Sequence, residues 1–541
     1  NSVLPFLFEK INDYTELLLP DDLTSEFSIV TDIRVGMPVD DCKNVEIIGW
    51  LYQFYISEEN ERLIKSKEVY KKHELAPASQ IFTPKWIVQY MVDNTLGQIL
   101  SEYFPSTTII QNLDFYVKPQ YKNKLQPRNK KKLEELKFFD PCVGSAHILS
   151  YAFDVFYLIY KEQGYNESEI PELIIKFNLY GTDIDERAAQ LSSFVLMMKG
   201  RQYYRRFFKN NIRPNIAFFQ DFEFNHKFKN AAYLGSLIKV EPDEIGKVVV
   251  DKDSLFSERQ KELIKLYGFL GQKYDIVVTN PPYISSSRME GVLKQYVEAY
   301  YPQTKSDLFA TYILRCLELC IDDGLTGYMT PFVWMFISSY EKLRERIIDE
   351  SFINNLVQLE YSGFEGATVP ICTFTLRKKR IPDANGIFIR LTEFRGAKLQ
   401  APKTIEAINN PNAEWRYAFN QNLFKKINGS PIGYWLSEKF INKLSESDYL
   451  ENHFEVVAGI STGKNIAFIF QWFEAQHRSI WDGEIGKQED YTFKYHNKGG
   501  DARKWYGNHD YIIKYNPKSI NELNKLDGFR HDGESHYFLE S

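Results

Sequence analysis

At 541 residues, 44% hydrophobic and 26% charged, the chain is long enough for about three domains of 150 residues each and a sizeable core. A formal charge of −6 excludes an overall basic field, so any contact with nucleic acid must come from local patches. Five cysteines without Cys-x-x-Cys spacing or companion histidines argue against a disulfide framework or a metal site, and no apolar run approaches the roughly 20 residues that span a bilayer.

The odd cysteine count suits a reducing cytosol, and a chain that opens on Asn1 without a signal-peptide pattern reads as a portion of a longer polypeptide. Residues 1–75 are expected to be mainly helical. Apolar residues at Ile47, Ile48, Leu51, Phe54, Tyr55 and Leu63 keep helical spacing, and the segment reads as scaffold. Thr83 is the expected N-cap of a helix with Pro84 at its first position and Ile87, Val88, Met91 and Val92 turned inward. The lysine-rich stretch from Lys118 to Lys132 reads as a solvated face.

A strand ending at Asp140, the loop Pro141-Cys142-Val143-Gly144-Ser145-Ala146 and an apolar helix behind it form the strand, turn and helix that open a Rossmann-like unit. A second strand ends near Asp183, with Asp185 expected to cap the next helix. An acid at that strand end is placed to accept from ribose hydroxyls. A basic run at Lys199, Arg201, Arg205, Arg206, Lys209 and Arg213 follows, for which a solvated face and a nucleic-acid patch both stand. A third strand leads to Asp221 and Phe222.

The run Tyr274 to Thr279 is an expected buried strand that must end at Asn280-Pro281-Pro282-Tyr283, because two prolines cannot prolong its hydrogen-bond ladder. The amide oxygen of Asn280 and the carbonyl of Pro281 suit the two hydrogens of a nucleobase amino group, whose lone pair is freed from the ring when both are held, and Tyr283 suits stacking on the base. A rigid turn with a packed tyrosine would use the same residues. Further alternation of helices and strands to Leu376 argues for a parallel, doubly wound α/β sheet. Phe364 precedes the strand that starts at Ile371. From about residue 392 the chain is polar, loop-rich and dotted with Trp and Tyr, with a turn at Gly459 to Asn465.

The segments at Thr83, Asp140, Asp183, Asp221 and Asn280 stand in the order of motifs X and I to IV, and residues 76–391 resemble the gamma-class DNA adenine-N6 methyltransferases. The whole looks most like the methyltransferase of BREX phage-defence systems, with the methylase halves of single-chain restriction-modification enzymes close behind. The resemblance implies a Rossmann-like methyltransferase domain over residues 76–391 and an incomplete target-recognition domain over residues 392–541. It implies S-adenosylmethionine as cofactor, with Thr83 beside its methionine end, and Asp140, Cys142, Gly144 and Ser145 in the loop that holds it. Asp183 would be the ribose acid, Asp221 the acceptor from the cofactor's adenine, and Phe222 a packing neighbour of that ring. Asn280, Pro281, Pro282 and Tyr283, with Phe364 as a second aromatic wall, would take an adenine flipped out of double-stranded DNA. Other phage-defence proteins are further implied partners, in the prokaryotic cytoplasm, with no metal and no membrane. Two positions depart from motif I: Ala146 replaces a glycine, adding a methyl where the cofactor passes, and Ile148 replaces an aromatic residue. Glutamine-amide methylation of a protein and a catalytically silent docking module are the alternatives.

Overall fold

The computed structural model describes residues 4, 20–37, 47–66, 68–79, 83–121, 125, 127–128, 131–209, 212–246, 257–363, 369–454, 459–481, 490–498, 510–526 and 528–531. It divides into two compact units, Asn1–Ser445 and Glu446–Ser541.

A nine-stranded sheet organises the first unit. Its strands are β1 (Phe138–Asp140), β2 (Leu179–Asp183), β3 (Asn215–Phe218), β4 (Tyr274–Thr279), β5 (Cys320–Pro331), β6 (Phe352–Gln358), β7 (Ile371–Arg377), β8 (Gly386–Arg390) and β9 (Arg416–Phe419), in the order β3-β2-β1-β4-β5-β7-β6-β8-β9. Side chains alternate along each strand, and here both faces are covered. Phe138, Ile276 and Val278 join one buried apolar cluster while Phe139 and Val277 join the other, which is why these strands read as unbroken apolar runs. Helices His147–Glu162 and Glu186–Tyr203 follow β1 and β2, and Ser257–Gly271, Leu308–Leu319 and Glu341–Glu350 precede β4, β5 and β6. Asp185 caps its helix as expected, accepting from the Arg187 N–H.

The first five strands are parallel, but the sheet is mixed rather than parallel throughout. β7 enters between β5 and β6 and is antiparallel to both. A parallel entry would need a crossover back to the opposite edge, normally a helix. The link from β6 to β7 has no helix among its described residues and turns the chain straight back, so that Gln358 pairs with Cys372. β8 and β9 then extend the sheet, β8 parallel to β6 and β9 antiparallel to β8. Tyr434 stacks on Phe388 of β8 at 4.7 Å, and the buried Arg344 guanidinium donates to the carbonyls of Gly429 and Ser430. The compact unit therefore runs past the composition change near residue 391 to Ser445, because short strands and aromatic packing hold residues 392–445 to the sheet.

The second unit contains a four-stranded sheet of Ile469–Gln471, Tyr511–Lys514, Phe493–His496 and Ile480–Trp481, in that spatial order. Phe468, Ile513, Tyr515 and Leu523 form its core. The expected turn at Gly459 to Asn465 carries the short strand Ser461–Thr462, paired with Phe529–Arg530, and its Gly463 takes a left-handed φ of 66°. Among the described residues no helix is long and apolar enough to cross a membrane.

Candidate functional site

The order of the sheet reverses between β1 and β4, and ligands of open α/β sheets bind outside the carboxyl ends of strands at such a switch point. Asp140 ends β1, Asp183 ends β2 and Asn280 directly follows β4. All three line one cleft, with Thr83 and the Pro141 to Ser145 loop. The loop is held from several sides. The Val143 N–H donates to the Thr182 carbonyl at 3.0 Å, and the hydroxyls of Thr182 and Ser236 both donate to the Pro141 carbonyl. Gly144 sits at φ 52° with nothing within 4 Å of where a Cβ would stand, so its backbone faces open space. Its N–H donates to Asp183 Oδ2 at 2.9 Å, tying the first strand's loop to the second strand's acid.

Asp183 is oriented by two backbone donors, Gly144 N–H on one oxygen and Asp185 N–H on the other, and each oxygen keeps a further lone pair. Asp140 accepts from the Cys142 N–H at 3.0 Å and the Thr279 hydroxyl at 2.8 Å. Burial, reinforced by each acid's neighbouring carboxylate, pushes Asp140 up to about 7 and Asp183 up to about 6. Burial alone lowers His147 to about 4, so its ring, 2.8 Å from the Ser145 hydroxyl, is neutral. Burial also pushes the Cys142 thiol well up, leaving a poor nucleophile. Among the described residues no lysine or arginine lines the cleft, whose acidic side chains are Asp140 and Asp183.

Asn280 is held between two other side chains. Its Nδ2 donates to the Thr83 hydroxyl at 3.0 Å, and the Tyr283 hydroxyl donates to its Oδ1 at 2.8 Å while also reaching the Met329 carbonyl at 3.0 Å. Thr83 is thus not the expected helix cap. Pro84 occupies that position, the helix is Lys85–Val92, and the Thr83 hydroxyl is spent on Asn280 instead. The expected inward residues Ile87, Val88, Met91 and Val92 are all buried. Tyr283 is a phenol at any ordinary pH because burial raises its pKa, and its ring meets Phe309 edge-on at 6.2 Å. The segment behind it is pinned, with the Leu308 N–H donating to the Ile284 carbonyl and the Ser286 N–H to that of Ser306.

The remaining expected site residues divide. Cys142, Gly144, Ser145 and Pro282 line the cleft; Pro281 is buried between two residues that line it. Asp221 and Phe222 do not line it. The Asp221 carboxylate is paired with Lys72 and accepts from the Ala232 N–H, and Phe222 is fully buried in the core under the Arg259 guanidinium. Phe364 lies outside the described residues; of the residues flanking it, the Leu359 N–H bonds the Ile371 carbonyl and the Pro370 carbonyl accepts from the Phe332 N–H. Ala146 is at φ 61°, the left-handed region that favours glycine, yet its methyl is fully buried in the core and does not line the cleft. It does not obstruct the space that its replacement of a glycine suggested. Ile148 does line the cleft. Sequence reasoning missed Gly49 and Tyr52, which line the cleft from the N-terminal segment that read as scaffold, and Ala76 and Ser79, which line it from the start of the expected methyltransferase domain. Their only signal was a glycine inside a helical pattern. Among the described residues no group of three His, Cys, Asp or Glu side chains is placed to hold a metal.

Residues 177–364 match the family model described as Eco57I restriction-modification methylase. Over 95% of its length the chain is 34% identical to "Adenine-specific methyltransferase PglX" of Lacticaseibacillus casei (strain Zhang), and over 96% it is 33% identical to "Adenine-specific methyltransferase BrxX" of Escherichia coli O9:H4 (strain HS). Each alignment covers 48% of the relative, so the chain spans about half the length of the curated relatives it matches. Among solved structures, the ATP-dependent Type ISP restriction-modification enzyme LlaBIII bound to DNA superposes with a TM-score of 0.48 at 11% identity, covering 77% of this chain and 27% of that one.

Proposed function

This chain carries a restriction-modification methylase domain and is a homologue of proteins named adenine-specific methyltransferase; from that premise we propose that it methylates adenine N6 in double-stranded DNA, using S-adenosylmethionine, as part of phage defence of the BREX kind. The observation that carries the reading is the Asn280 amide, locked between Thr83 and Tyr283 at the rim of a cleft whose charged groups are Asp140 and Asp183.

The donor set fits the cofactor. Among the described residues two carboxylates line the cleft and no lysine or arginine does, a set that favours a cation and repels the phosphates of a nucleotide cofactor. Asp183, already oriented by two backbone donors, retains lone pairs for a ribose diol. When bound, S-adenosylmethionine supplies an electrophilic methyl group on a sulfonium that is already an excellent leaving group. The protein's task is then positioning. Asn280 Oδ1 and the Pro281 carbonyl accept the two N6 hydrogens, which draws the nitrogen toward tetrahedral geometry and turns its lone pair toward the cleft. The Tyr283 hydroxyl occupies one lone pair of Oδ1 and leaves the other for N6. Flipping a base out of the duplex costs a few kcal/mol, and stacking on Tyr283, at about 1–3 kcal/mol per base, offsets much of it.

The burial of the Ala146 methyl in the core weighs against a silent docking module. The test is incubation with tritiated S-adenosylmethionine and either duplex DNA or a release-factor protein. Label in DNA, recovered as N6-methyladenine after digestion, is the expected result; label in the protein alone overturns the reading in favour of glutamine-amide transfer.

A further inference from the structure

The Ile47–Ser66 helix packs on the cofactor loop through its backbone. A Cβ at Gly49 would stand 2.8 Å from the Ser145 hydroxyl and 2.9 Å from the His147 ring. Glycine inside a helix costs about 1 kcal/mol relative to alanine, so its presence needs a reason, and this close approach is one. Tyr52 lies three residues on, hence on the same helix face, and its hydroxyl donates to Asp185 Oδ2. The Asp185 N–H in turn holds Asp183 Oδ1 at 2.9 Å. Gly49 and Tyr52 both line the cleft together with Gly144 and Asp183.

We infer that Gly49 and Tyr52 complete the nucleoside end of the cofactor site, with Tyr52 supplying the aromatic wall beside Asp183. The inference rests on the cofactor reading above. Its ground is that the expected aromatic of the third strand is unavailable, Phe222 being fully buried and Asp221 paired with Lys72. Tyr312, the other aromatic at the cleft, lies behind the loop, where the Ser236 hydroxyl reaches both it and the Pro141 carbonyl. The N-terminal segment is firmly seated farther along. Leu63, Tyr70, Leu75 and Ala78 join the sheet's core, and Arg288 donates to the Tyr70 hydroxyl and to the Ile64 carbonyl. At the cleft end the helix turns Leu51, Phe54 and Tyr55 to solvent at 51%, 82% and 72% exposure, while Gly49 and Tyr52 line the cleft.

Isothermal calorimetry with S-adenosylhomocysteine and with 5′-methylthioadenosine, which share the nucleoside and differ in the amino-acid tail, tests the assignment. Tyr52→Ala is expected to weaken both ligands by the same factor, on the order of tenfold. Tyr52→Phe keeps the ring and its packing and is expected to lose about fivefold for both. Gly49→Val, which lifts the helix from Ser145, is expected to weaken both as well. Wild-type affinity in Tyr52→Ala overturns the inference, and so does a loss confined to S-adenosylhomocysteine, which would put Tyr52 at the tail. A wild-type chain that binds neither ligand overturns the cofactor reading itself.

Discussion

The Thr83 hydroxyl accepts a hydrogen bond from the Asn280 side chain at 3.0 Å, joining two residues 197 positions apart in the sequence. An asparagine amide has two nearly isosteric orientations, and only one presents its oxygen to a substrate amino group. In the orientation found here the nitrogen donates to Thr83 and the oxygen accepts from Tyr283.

Thr83→Val keeps the shape and removes the acceptor. Methyl transfer to DNA is expected to slow by about tenfold in kcat with KM for DNA little changed, and Thr83→Ser to restore it. Single-turnover rates measure the effect. An unchanged rate in Thr83→Val would mean that the amide is fixed by other contacts.

Asn280→Ala removes the acceptor itself. A loss of about 10²–10³-fold in the methylation rate is expected, with affinity for S-adenosylhomocysteine held within a few-fold. Turnover close to wild type would count decisively against the role of Asn280.

Tyr283→Phe retains the ring and deletes the hydroxyl that serves both Asn280 and the Met329 carbonyl. The double variant with Thr83→Val is expected to be less than additive in the rate, because both side chains orient one amide. Strict additivity would show that they act separately.

Asp140 and Asp183 titrate near 7 and 6 in the native state, above the ordinary carboxyl value, so the folded protein holds protons that the unfolded chain has released. Stability is therefore expected to fall as pH rises from about 4 to 7, and Asp183→Asn to flatten part of that slope in urea melts at stepped pH. A cationic ligand favours the ionised acids. Affinity for S-adenosylmethionine is expected to rise through the same interval with release of protons, read as a buffer-dependent heat in calorimetry.

Ala146→Gly is expected to leave affinity for S-adenosylhomocysteine within twofold, since the methyl is buried in the core. Its effect on stability is expected to stay within about 1 kcal/mol, relief of the left-handed backbone being set against the greater freedom of glycine in the unfolded chain. A marked gain in affinity would return the methyl to the cofactor's path.

Much of the site was legible because its signals are local. A buried strand stopped by Pro281, an acid closing β1, another closing β2, and Asp185 capping a helix each leave a mark within a few residues. What was not legible depends on distant partners. Thr83 reads as a cap until the fold brings Asn280 to it, and Gly49 reads as a flaw in a helix until Ser145 is seen against it. Asp221 follows a strand as its motif requires, yet Lys72 claims it. The strand β9 is short and lies among polar residues, so composition placed a boundary ahead of it although it bonds to β8.

The reversal of β7 has one more outcome. Because β6 and β7 pair from Phe352 with Arg377 to Gln358 with Cys372, whatever hangs from their shared mouth is fastened at both feet. The register of β6 on β7, and of β7 on β5, is set by those pairs alone, so a change in the length of the connection leaves every strand of this part of the sheet where it is.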